Sequence, residues 1–181
     1  MKRQRISADI SERVKAHLAD SSLALARLTE NMVYEDISLF GVLVDIGLKG
    51  EKQYAQRATH IVSLCSSHFP ELFIPFCSRV IRNLKNLRSE GAIRNFLKIL
   101  AEVPLKFSER DKSILVNQCF YYLLSGKYPV AIHVFSMQIL HNISLEIPEI
   151  GGELCRILED KMPDASAGYK SRAARILSAK R

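Results

Sequence analysis

Two stretches of this chain match each other 78 residues apart. One, H-F-P-E-L-F-I-P-F-C, ends at Cys77; the other, E-I-P-E-I-G-G-E-L-C, ends at Cys155. Pro70 aligns with Pro148, Glu71 with Glu149, Leu72 with Ile150, Phe76 with Leu154, and Cys77 with Cys155. A self-match at a fixed distance marks a chain made of repeated units. Each unit buries its apolar face only against its neighbours, so such a chain stacks instead of collapsing into one globule.

The units are helical. Apolar residues recur at spacings of three and four nearly throughout, and no run alternates polar with apolar residues. No Asn-Gly or Asp-Gly turn separates β-branched runs. The spacing predicts ten helices, over 8–18, 22–33, 37–48, 52–67, 70–87, 90–102, 109–125, 129–144, 148–161 and 166–179. Pro70, Pro129 and Pro148 fit first turns, where a missing N–H costs nothing. Ser108 and Asp111 form a capping pattern. Gly50, Gly91 and Gly126 punctuate the periodic segments. Linkers this short make neighbouring helices antiparallel.

The helices pair as A followed by B. Ile61, Ile99, Ile139 and Ile176 then form one column on the A helices, each followed by Val or Leu. Cys77, Cys119 and Cys155 form a column on the B helices. The middle unit needs about four extra residues around Lys106–Arg110, and the period averages 39. This period and layout resemble HEAT or armadillo-like α-solenoids over residues 52–181, with 22–48 as a degenerate first unit. Tetratricopeptide repeats fit less well, because their period is shorter and their Trp/Gly/Tyr pattern is missing. The resemblance implies an all-α fold: one domain over 1–181, a right-handed α-α superhelix of about ten antiparallel helices. Residues 1–50 would be less regular, and 52–181 would hold about three and a half repeats. It also implies a concave face lined by B helices. The HEAT-like DNA alkylation-repair glycosylases share that architecture, but they hold the damaged nucleotide with Trp side chains, and this chain has no Trp.

Charge points to partners. The net charge is +7. Residues 1–50 balance at seven basic and seven acidic side chains, whereas 51–110 carry ten basic and five acidic. The excess sits in the middle and at the C-terminus, and suits acidic surfaces or nucleic acid. No window reaches roughly 18 uninterrupted apolar residues, so no membrane span is expected. The N-terminus has no apolar stretch behind its basic residues, as a secretory signal would. Four scattered cysteines without a C-x-x-C pair read as buried thiols of a cytoplasmic protein.

Chemistry-bearing motifs are absent. The five histidines have no H-x-x-x-H spacing, there is no G-x-S-x-G and no Gly-rich phosphate loop, and no cofactor or metal is expected. Gly151 and Gly152 are expected to allow close helix packing. The candidate binding residues are the basic stripe Arg79, Arg82, Lys85 and Arg88, opposite the apolar face of the helix over 70–87, with Tyr121 and Tyr122 one unit further on. The favoured reading is a non-enzymatic module holding an acidic protein or peptide. The alternative is a nucleic-acid-binding protein using the same stripe and the C-terminal basics Lys170, Arg172, Arg175, Lys180 and Arg181. The segment Ile37 to Leu48 is apolar nearly all round, which requires burial by neighbouring helices or by a second copy in a homodimer.

Overall fold

The structure, a computed structural model, describes Val14 and residues 16–18 and 22–179. Most of the helix predicted over 8–18 lies outside these residues, as do Lys180 and Arg181. The chain divides into two compact units, Met1–Leu105 and Lys106–Arg181. The second begins inside the Lys106–Arg110 stretch, where the repeat alignment needed extra residues.

The first unit contains α1 (Leu23–Glu35), α2 (Ser38–Lys49), α3 (Lys52–His68), α4 (Cys77–Asn83) and α5 (Glu90–Glu102). Helix α3 packs against α1, α2 and α5. The second unit contains α6 (Glu109–Leu124), α7 (Val130–Ser144), α8 (Pro148–Lys161) and α9 (Ala167–Ser178). There α7 packs against α6, α8 and α9. No strand occurs among the described residues. Helices α1, α3 and α5 thus form the A row of the first unit, and α7 and α9 that of the second.

The isoleucine column holds. Ile61, Ile99, Ile139 and Ile176 are each at most 2% exposed. Burying a side chain of this size contributes roughly 1.5–3 kcal/mol. Polar contacts between A helices recur at the same period. Asn95 Nδ2 donates to the Gln56 carbonyl at 3.1 Å, 39 residues back. Ser89 Oγ donates to the Lys52 carbonyl at 3.1 Å, 37 residues back, and also accepts from Ala92 N as the α5 cap. In the second unit Arg172 donates to Gln138 Oε1 at 2.6 Å, 34 residues back. The Ser108 cap is formed: its Oγ accepts from Asp111 N at 3.2 Å.

Glycine permits a close helix approach in the first unit. A Cβ on Gly47 would stand 2.5 Å from Thr59 Cγ2 and 3.0 Å from Phe96 Cζ. Helix α2 can therefore lie against α3 only without a side chain there. Gly152, by contrast, faces open space, so close packing does not explain it. Gly151 beside it is buried.

The helix predicted over 70–87 is interrupted. It consists of 3₁₀ turns at Pro70–Leu72 and Ile74–Phe76, the seven-residue α4, and a 3₁₀ turn at Leu84–Asn86. Pro75 has no N–H to give to the Glu71 carbonyl, and its ring crowds that carbonyl. Tight turns replace the α-helix there. Phe73 and Val80 remain fully buried, so the segment keeps its apolar side inward.

The apolar run of α2 is covered mainly from within the unit. Leu39, Phe40, Leu43, Val44 and Ile46 are buried, and the Phe40 and Phe76 rings lie 5.6 Å apart. Ile37 stays exposed, as do Leu23 and Leu28 on α1.

Cys65, Cys77 and Cys119 are buried, Cys155 is partly buried, and none of the four is in a disulfide. Burial pushes the thiols of Cys65 and Cys119 up to about 12. At pH 8 these two hold almost no reactive thiolate. A thiol-disulfide exchange reagent added to the native protein at that pH is expected to modify Cys155 before either, and to reach Cys65 and Cys119 only in denaturant. Gly47→Ala overpacks the α2–α3 contact, and Asn95→Ala removes a buried donor. Each is expected to lower the unfolding free energy by about 1–3 kcal/mol in urea titrations.

Candidate functional site

Between positions 79 and 98 the first unit carries six basic residues and one acidic residue, Glu90. All six cations, Arg79, Arg82, Lys85, Arg88, Arg94 and Lys98, are exposed. Those on α4 and the turn after it are exposed because this segment buries Cys77, Val80, Ile81 and Leu84. Positions 79, 82 and 85, three apart, are left facing outward. Arg79 is held on two sides: its Nη1 lies 2.8 Å from Asp45 Oδ1 of α2, and its guanidinium sits 5.3 Å over the Phe76 ring. Asp45 thus offsets one charge of the stripe.

The six cations do not share one face. Arg79 reaches toward α2, whereas Arg94 belongs to the A row. Arg94 lines a pocket of ≈160 Å³ with His17, Gln56, Arg57 and His60. Its Nε and Nη2 donate to Asn95 Oδ1 at 3.3 and 3.1 Å. Arg57 Nη1 donates to the Leu18 carbonyl at 2.7 Å. The His60 imidazole is held below its usual range, first by burial and then by the nearby charges of Arg94 and Lys98, against an opposing pull from Glu30. Two guanidinium groups beside a neutral imidazole suit a carboxylate or phosphate oxygen.

Sequence reasoning passed over Arg57, yet a signal was present. His17, Arg57, Arg94, His133 and Arg172 follow one another at intervals of 40, 37, 39 and 39 residues, close to the repeat period. Arg57, Arg94, His133 and Arg172 thus hold corresponding positions on α3, α5, α7 and α9, a pattern hidden when attention stays on the B helix.

The candidates in the second unit fare unevenly. Tyr121 is exposed, and its ring lies 6.0 Å from that of Tyr122 and 6.2 Å from that of Tyr128. Tyr122 is 1% exposed, so it is a core residue and not a contact residue. It sits one position after Tyr121 on α6, and a 100° turn of the helix carries it inward. Lys170 Nζ donates to the Pro163 carbonyl at 3.0 Å, and Arg172 is tied to Gln138. Arg175 is exposed near the end of α9. Among the described residues no three His, Cys, Asp or Glu side chains converge as a metal site, and no helix is long and apolar enough to cross a membrane.

Neither the curated proteins nor the solved structures compared with this chain include a match. The family model of the HEAT repeat domain matches residues 19–180. HEAT repeats generally act as protein-interaction scaffolds. The match spans both units, the isoleucine column and the recurring contacts between A helices, and on that ground the chain belongs to the HEAT repeat domain family.

Proposed function

We propose that this protein is a non-catalytic scaffold that holds an acidic segment of a partner protein on the basic surface of its first unit. The observation that carries this reading is the outward row of Arg79, Arg82 and Lys85, with Arg88 just beyond it, all exposed on the first unit. Opposite charge speeds encounter and excludes basic competitors. Exposed apolar residues on the same unit favour a protein partner over a nucleic acid. Ile74, five residues before Arg79, is 59% exposed. Tyr34 and Phe69, both exposed, meet edge to face at 5.1 Å. Such side chains give a peptide apolar anchors that phosphates and sugars do not use. A reducing compartment such as the cytosol suits the four unpaired cysteines.

A fluorescein-labelled peptide rich in Glu and Leu, followed by anisotropy at low salt, tests this reading. Binding is expected, and it should weaken as salt is raised. The double variant Arg82→Glu with Lys85→Glu is expected to lose at least about tenfold in affinity, since rim charges steer and select partners. Undiminished binding by that variant would falsify the placement. Failure of the peptide to bind, together with capture of a single-stranded oligonucleotide whose affinity falls log-linearly with salt, would replace the reading with nucleic-acid binding.

A further inference from the structure

The second unit holds a pocket that neither the family nor the basic surface accounts for. It lies where the start of α7, the end of α8 and the start of α9 meet, and its volume is ≈480 Å³. Among its walls are the rings of Tyr128, His133 and Tyr169, and the charged side chains Asp160, Lys161 and Asp164. The His133 and Tyr169 rings stand edge to face, 6.2 Å apart.

Two polar atoms here are unusual. Tyr169 is 4% exposed, and neither its hydroxyl nor His133 Nε2 has a hydrogen-bond partner among the described residues. Buried polar atoms of native proteins are nearly always paired, so an orphan in a pocket wall points to a ligand. Burial, followed by the charge of Lys161, holds the His133 imidazole below its usual range. The neutral ring therefore keeps a lone pair for a donor.

Charge selects the ligand. The C-terminus of α8 and the N-terminus of α9 both border the pocket, and their half-charges oppose. Asp160 and Asp164 outnumber Lys161, leaving an excess of one negative charge. Aromatic rings, carboxylates and two acceptors in one cavity match a group that is planar, cationic and rich in N–H donors. We infer that this pocket takes the guanidinium of an arginine side chain presented by a partner protein. It is thus a cation-binding site, the electrostatic opposite of the surface on the first unit, and it stands independently of the function proposed there.

Titration of the whole protein with N-acetyl-arginine methylamide, followed by the NMR signals of His133 and Tyr169, tests this. Saturable shifts at both residues are expected, with a dissociation constant in the low millimolar range, about what a single side chain can reach. The citrulline counterpart, equal in shape but uncharged, should bind at least about tenfold more weakly, as should arginine to the Asp160→Asn, Asp164→Asn double variant. Tyr169→Phe should weaken binding several-fold while leaving the thermal midpoint unchanged or higher, because it deletes a hydroxyl with no internal partner. Equal binding of arginine and citrulline overturns the inference. So do shifts caused by inorganic phosphate but not by arginine, or a Tyr169→Phe midpoint that falls.

Discussion

Asn95 is where the helices of the first unit are fastened. It is 3% exposed, and its amide nitrogen bonds across from α5 to the Gln56 carbonyl and to Thr59 Oγ1 of α3, both at 3.1 Å. Thr59 in turn donates to the Ala55 carbonyl at 2.8 Å. A buried amide tolerates little displacement, because each unmet donor costs a full desolvation penalty. The methyl of Thr59 meets the bare face of Gly47, and the Phe96 ring closes over the same spot. Three helices are thereby held in one register at a single point. Apolar packing alone is non-directional and would let α3 and α5 slide past each other.

Along each A row the same logic recurs with different side chains. Ser89, Asn95, Arg57 and Arg172 each reach back about one repeat to donate a hydrogen bond. The isoleucines between them stay dry. Nearest-neighbour fastening of this kind is what lets a chain of helix pairs be stable without contacts between distant segments. The chain divides near Lys106, at the stretch where the period is broken by added residues.

The surfaces left over differ between the units. Core positions are spoken for by packing, so only outward positions are free to vary from repeat to repeat. In the first unit those positions became cationic. In the second, the meeting ends of α7, α8 and α9 became an aromatic and acidic pocket with two unpaired polar atoms. The two units thus present surfaces of opposite electrostatic character.

Much of the fold was legible in the sequence. Period, helix order, the Ser108 cap and the isoleucine column all follow from local spacing, which a helix converts directly into a face. The sequence also determined that residues 79–98 are basic and that no recognisable catalytic motif is present. What only the tertiary structure decided depends on which atoms meet. The segment over 70–87 had helical spacing, but Pro75 removed a backbone bond and broke it into turns. Tyr122 shared the composition of Tyr121 but points into the core. Asp45 was one residue in an apolar run until α2 brought it to Arg79. The pocket at His133 and Tyr169, 36 residues apart in the chain, has no local signature, because an orphaned hydroxyl is a property of its surroundings and not of its residue type.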